Sequence, residues 1–187
     1  MPRLSGATGD ARRILITGGT RSGKSRYAEG LLADQAAVTY LAPGPVPDAD
    51  VDPEWAARIG AHRARRPPTW RTVETTEIAN ALRTYEPPFL IDCLGTWLTA
   101  TIDHLGTWEA PLADWQQGLH DQVDDLVDAW RRCNGLAVAV THEVGWGLVS
   151  EHRSGRLFTD LLGLLNQQFA AASDDVILVV AGRALRL

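Results

Sequence analysis

Ile14-Leu15-Ile16-Thr17-Gly18-Gly19-Thr20-Arg21-Ser22-Gly23-Lys24-Ser25 is the stretch from which the rest of this chain is read. Three apolar residues run into Gly18-x-x-x-x-Gly23-Lys24-Ser25, and a helix-compatible stretch, Arg26 to Leu32, follows. A strand, a glycine-rich turn and a helix in that order make a Walker A phosphate loop. The glycines let backbone N–H groups turn inward around a phosphate, and the helix N-terminus adds partial positive charge. Lys24 is placed to reach the β- and γ-phosphates, and the Ser25 hydroxyl to sit on Mg²⁺. Of the 18 basic residues, Lys24 is the single lysine. Arginine serves everywhere else, while a compact ammonium on a flexible stem is kept for the phosphate cradle. The loop is therefore expected to bind a nucleoside triphosphate through Gly18, Gly19, Thr20, Arg21, Ser22, Gly23, Lys24 and Ser25.

A second apolar run, Phe89-Leu90-Ile91, ends in Asp92. A buried strand ending in a carboxylate is the Walker B pattern, whose acid holds Mg²⁺ directly or through water. Asp92 is thus the expected metal partner of Ser25. Between the two motifs lies a local basic cluster, Arg58-Ile59-Gly60-Ala61-His62-Arg63-Ala64-Arg65-Arg66. From Trp55 to Val73 there are five arginines and no acid, in a chain of net charge −5. Such a face is either solvated or aimed at an anion, and a bound triphosphate is an obvious anion.

The remaining pattern alternates strands with helices. Helices are expected from Lys24 to Ala36, from Pro53 onward, from a Thr75 or Thr76 cap to Tyr85, from Gly95 to Leu105, from Leu112 to Arg132 and from Arg153 to Ala172. Strands are expected at Val38–Leu41, Trp70–Glu74, Phe89–Asp92, Leu136–Val140 and Val176–Val180, with Ala184–Leu187 as an antiparallel edge. Residues 42–53, carrying Pro43, Pro45, Pro47 and Pro53, read as a loop. The fold expected is α/β: a P-loop NTPase (RecA-like) domain with a mostly parallel sheet flanked by helices. Residues 1–13 read as a flexible lead and 14–187 as one domain.

Composition bounds the function further. A hydrophobic fraction of 45% and a charged fraction of 22% belong to an ordinary globular chain. The net negative charge argues against general nucleic-acid binding. Cys93 and Cys133 lack a partner spacing for zinc and read as reduced core residues. No apolar stretch reaches the roughly 18 residues a membrane span needs, and the start lacks a signal-peptide apolar region, so the cytoplasm is the expected compartment. His104, His120 and His152 have no ligand spacing and are expected to face solvent, and Trp97, Trp108 and Trp146 are expected to be exposed.

Residues 18–29 resemble the opening of the bifunctional adenosylcobinamide kinase/adenosylcobinamide-phosphate guanylyltransferase family. So do Ala57-Arg58-Ile59-x-x-His62-Arg63-x-x-Arg66-Pro67-x-x-Trp70-x-Thr72-x-Glu74, Asp92-Cys93-Leu94, Glu143-Val144-Gly145-x-Gly147, Asn166-Gln167 and Val179-Val180-Ala181-Gly182. The resemblance implies two reactions of cobalamin biosynthesis. ATP or GTP would phosphorylate the aminopropanol hydroxyl of adenosylcobinamide, and GTP would then donate GMP to that phosphate through a covalent GMP-histidine at His62. It also implies nucleotide contacts at Ala42, Pro43, Gly44, Arg63, Ala64, Arg65, Arg66, Glu74 and Asp92, and a homo-oligomer, a trimer. A neutral imidazole can attack the α-phosphorus and split one transfer into two, while arginines and Lys24 neutralise the leaving pyrophosphate. The chain departs from the family pattern at His142 and Ser150, where Asn and Pro are usual. Without the resemblance, a monofunctional P-loop kinase of another small molecule and a non-catalytic GTP-binding module stay open, although no Asn-Lys-x-Asp guanine-reading motif is present.

Overall fold

Short apolar runs bounded by turns pair edge to edge, and those in the middle of the sheet bury both faces. The computed structural model describes residues 11–44, 50, 53–105 and 108–187, without the side chains of Trp55, Arg58 and His62. Among the described residues there are seven strands: β1 (Arg12–Thr17), β2 (Thr39–Ala42), β3 (Arg71–Glu74), β4 (Phe89–Asp92), β5 (Leu136–Val140), β6 (Asp175–Val180) and β7 (Arg183–Arg186). Their order across one sheet is β3-β2-β4-β5-β1-β6-β7. The first six run parallel and β7 returns antiparallel to β6. The expected mostly parallel sheet with an antiparallel edge is therefore present.

Alternation along the strands divides the core into two layers. Ile14, Ile16, Tyr40, Leu90, Val138 and Val140 face one side, together with Ala28 and Leu32 of the helix that follows the phosphate loop, α1 (Lys24–Leu31), and its C-cap. Leu15, Leu41, Phe89, Ile91, Ala137 and Ala139 face the other. That second layer is closed by α3 (Ile78–Thr84), α4 (Leu94–Leu105), α5 (Gln116–Arg131) and α6 (Arg153–Ala171). The remaining helix, α2 (Pro53–Ala64), opens at Pro53 as its fixed φ favours.

Several boundaries differ from the sequence pattern. Helix α1 stops at Leu31, because Leu32 is its last core contact and Ala33 and Asp34 are exposed with nothing to hold another turn. Neither threonine caps α3: the Thr75 hydroxyl instead accepts the Glu77 N–H (3.0 Å), a local turn that delays the helix to Ile78. Leu112–Asp114 forms a separate 3₁₀ turn, because Trp115 leaves helical geometry at φ −136° to bury its ring.

Candidate functional site

In a parallel sheet the carboxyl ends of the strands share one edge, where ligands bind. Here that edge gathers the phosphate loop after β1, Ala42–Gly44 after β2, Glu74 at the end of β3, Asp92 at the end of β4 and Thr141–Glu143 after β5.

The loop is fixed from beneath. Gly18 has φ +154°, and a Cβ there would lie 2.4 Å from the Val179 carbonyl oxygen of β6 and 2.8 Å from Ser22 Oγ. The tight turn joining β6 to β7, with Ala181 at φ 49° and Gly182 at φ 77°, donates the Gly182 N–H to the Ser22 carbonyl (2.8 Å). The phosphate loop therefore rests on a hairpin from the far end of the sequence. Lys24 is buried, and its Nζ donates to the Gly19 carbonyl (3.1 Å), so the ammonium is folded over the loop it serves. Ser22 Oγ is buried in the same turn with no hydrogen-bond partner among the described residues, a donor suited to a phosphate oxygen.

Ser25 and Asp92 do meet. The Ser25 hydroxyl donates to Asp92 Oδ1 (3.3 Å), and the Tyr40 hydroxyl donates to Oδ2 (3.0 Å). Burial, and then the charge of Asp92, push the Tyr40 phenol far above its ordinary pKa, so it stays a donor. One hydroxyl and one carboxylate oxygen fit Mg²⁺, which takes one or two protein carboxylates and completes its shell with water and phosphate oxygens. Among the described residues no group of three or more His, Cys, Asp or Glu is gathered around a metal position.

The basic run at the end of α2 and just after it is tied to this edge by three of its arginines. Arg63 is ion-paired with Glu74. Arg65 makes two bonds of 3.1 Å to the Glu29 carboxylate of α1, and these, above all, hold its guanidinium above the ordinary arginine pKa. Arg66 stacks over the Tyr40 ring (3.7 Å) and donates to Thr72 Oγ1 (3.1 Å). A continuous line of contacts thus runs from Arg66 through Tyr40 to Asp92 and Ser25. His62 lies in the last turn of α2, and its side chain is outside the described residues. Ala64 is exposed at the end of the helix. The Ala42 carbonyl accepts the Thr75 N–H (3.1 Å), Pro43 is buried and Gly44 half-buried, while most of the proline-rich loop beyond them lies outside the described residues.

Thr20 and Arg21 are exposed at the crest of the loop, Arg21 at φ 57°. His104, His120 and His152 face solvent as expected. Two of the three tryptophans do not. Trp97 is 3% exposed and donates to the Thr76 carbonyl, and Trp108 packs half-buried on the core of the second layer; Trp146 is 70% exposed. The alternation of apolar residues in α4 puts Trp97 on its core face, which overrides an indole's tendency to sit at the surface.

Three partners in the site are not evident from any motif. Tyr40 occupies an interior strand position that reads as core. The side chain of Asn166 in α6 accepts the Thr141 hydroxyl (2.6 Å) and donates to the His142 carbonyl (3.0 Å). Glu143 accepts the Thr17 hydroxyl at Oε1 (2.8 Å). The sequence marks Asn166-Gln167 only by resemblance, and it leaves the general base of a kinase step open between Asp92, Glu143 and neither. His142 sets Nδ1 3.6 Å from Cys93 Sγ, whose thiol burial, and then Asp92, push above its ordinary pKa. Ser150 accepts the His152 N–H (3.3 Å) in the turn before α6.

Against known proteins, the family model described as "Cobinamide kinase / cobinamide phosphate guanyltransferase" matches residues 14–187. The bifunctional adenosylcobalamin biosynthesis protein CobU of Escherichia coli is 40% identical over 182 residues, covering 93% of this chain and 98% of that one. The bifunctional adenosylcobalamin biosynthesis protein CobP of Pseudomonas aeruginosa is 36% identical over 180 residues, covering 94% and 96%. Among solved structures, an ATPase from a bacterial type III secretion system superposes with a TM-score of 0.56 at 13% identity, over 91% of this chain and 51% of that one. That likeness is one of fold.

Proposed function

This chain belongs to the cobinamide kinase/cobinamide phosphate guanyltransferase family, and on that premise we propose that it performs both reactions on adenosylcobinamide. ATP or GTP phosphorylates the aminopropanol hydroxyl, and GTP then gives up GMP to the new phosphate through a GMP-histidine at His62, yielding adenosylcobinamide-GDP. The observation that carries this reading is the contact line Arg66–Tyr40–Asp92–Ser25, which links the arginine just after the histidine-bearing helix, through Tyr40, to the carboxylate that Ser25 of the phosphate loop also reaches.

Each residue has a task in that reading. Lys24 and the loop N–H groups bind the β- and γ-phosphates in both steps. Ser25 and Asp92 hold Mg²⁺, which supplies charge neutralisation on the phosphate oxygens. Tyr40 keeps Asp92 aimed. Arg63, Arg65 and Arg66 exchange their carboxylate and aromatic partners for phosphate oxygens, which offer more negative charge to a guanidinium than a single carboxylate does. Ala42, Pro43, Gly44 and Glu74 line the nucleotide at the adjoining strand ends. The pairing of all seven described strands in one sheet supports reading residues 14–187 as one domain, with Arg12 and Arg13 joining it at the start of β1. The exposed Val180, Leu185 and Leu187 along the β7 edge support a homo-oligomer by offering apolar surface to a second copy.

The test is incubation with α-labelled GTP and Mg²⁺ in the absence of corrinoid. An acid-labile, base-stable GMP adduct is expected on the wild type and absent from His62→Ala. Undiminished labelling of that variant sinks the nucleophile.

A further inference from the structure

Strand β5 lies between β1, which carries the phosphate loop, and β4, which ends in Asp92. The residues leaving β5 therefore emerge between the two halves of the triphosphate site. They are held there from both sides. From α6, Asn166 clamps the Thr141 hydroxyl and the His142 carbonyl, at 2.6 and 3.0 Å. From the phosphate loop, the Gly18 carbonyl accepts the Glu143 N–H (3.2 Å), and Thr17, buried, donates its hydroxyl to Glu143 Oε1 (2.8 Å). Glu143 itself is half-buried, and among the described residues its second oxygen, Oε2, carries no hydrogen bond or ion pair.

A general base needs a positioned acceptor with a free lone pair within reach of the reacting group. The site offers two carboxylates at its centre, and their surroundings divide the work. Asp92 has one oxygen engaged by Ser25 and the other by Tyr40. Glu143 has one oxygen tethered and one open. We propose that Glu143 is the general base of the kinase step, receiving the proton of the acceptor hydroxyl on Oε2. This rests on the two-reaction reading above. The hydroxyl oxygen forms a bond to the γ-phosphorus as the bond from that phosphorus to the β-bridging oxygen breaks. The electron pair leaves on the nucleoside diphosphate, and the hydroxyl proton passes to Glu143 and then to water.

The two reactions differ in whether they need such a group. The acceptor in the first is a neutral alcohol, which must lose a proton. The acceptor in the second is a phosphate monoester, whose attacking oxygen is already anionic at neutral pH because its second pKa is about 6. Removing the base should therefore divide the activities.

The experiment uses the full chain with Glu143→Gln, which keeps the size and the bond from Thr17 but cannot take a proton. Phosphorylation of adenosylcobinamide and guanylylation of supplied adenosylcobinamide phosphate are measured separately. The kinase kcat is expected to fall on the order of 10²–10⁴-fold with the nucleotide KM nearly unchanged, while guanylylation stays within about 3-fold of wild type. Thr17→Val, which removes only the tether, should lose no more than about 10-fold. A kinase kcat in Glu143→Gln within about 10-fold of wild type overturns the proposal, as does a parallel fall in both activities or an equal loss in Thr17→Val. A wild type that cannot phosphorylate adenosylcobinamide would instead refute the substrate assignment and this role with it. A wild type active in both steps beside an unimpaired Glu143→Gln refutes the base alone.

Discussion

Gly18 and Gly19 are neighbours in one motif, yet the geometry assigns them opposite sensitivities. At Gly18 an added Cβ would lie 2.4 Å from the Val179 carbonyl oxygen, and the backbone is at φ +154°. That carbonyl belongs to β6 and Val179 is paired with Ala184 of β7, so it cannot withdraw without disturbing the hairpin. Overpacking against fixed backbone costs about 1–3 kcal/mol, and an unfavourable backbone region adds about 1–2. Gly18→Ala should then lose about 2–5 kcal/mol, and a chain of this length loses roughly 2–4 °C per kcal/mol, which gives a fall in Tm on the order of 5–15 °C. At Gly19 an added Cβ meets nothing within 4 Å, and its φ lies outside the left-handed region. Gly19→Ala should therefore stay within about 1 kcal/mol of wild type. Thermal melts followed by circular dichroism compare the two, with binding of a fluorescent GTP analogue as the functional reading. A Gly18→Ala melt within about 1 °C of wild type, or equal losses in both variants, would refute the claim that the hairpin supports the loop.

Tyr40→Phe keeps the ring beneath Arg66 but removes the donor to Asp92. It should cost about 1–2 kcal/mol in urea unfolding and raise the Mg²⁺ concentration for half-maximal activity about 10-fold, as loss of an outer-shell partner does; an unchanged Mg²⁺ response would contradict the aiming role. The carboxyl of Asp174 is held below its ordinary value of 3.8, chiefly by its hydrogen bond from Arg13. Because the folded pKa is the lower one, the stabilisation is present above the unfolded pKa and fades as pH falls through the folded value. Asp174→Asn should thus lower the urea midpoint at neutral pH, by under about 1 kcal/mol for so exposed a pair, and the difference should vanish in acid. A gap that persists or widens at low pH would refute that linkage.

Strand identity and order of chemistry were legible because they depend on local pattern. Phe89–Asp92 and Leu136–Val140 are apolar runs too short for helices. The tertiary partners were not legible. Tyr40 looks like any aromatic residue in a strand until β2 is set beside β4, which brings its hydroxyl to Asp92. Thr75 satisfies the rule for a helix cap, but its hydroxyl found the Glu77 N–H first. Trp97 is core because its place in the α4 periodicity outweighs the surface tendency of an indole. Asp92 and Glu143 are both candidate bases in the sequence, and only the strand order separates their surroundings, since no spacing says that β5 inserts between β1 and β4.

The hairpin beneath the phosphate loop has a consequence for the order of events during synthesis. The loop is complete as sequence by Ser25, but β1 acquires its two neighbours only with residues 136–140 and 175–178, and Ser22 its bond to the turn only with Gly182. Contacts of such long sequence separation form late, after most of the chain is available to close them. A ribosome-bound fragment that stops short of β6 would carry the whole nucleotide motif and still lack the surface that shapes it. Triphosphate binding should accordingly appear only once the chain has emerged through Gly182, which makes nucleotide retention by stalled nascent chains a direct readout of when this fold is finished.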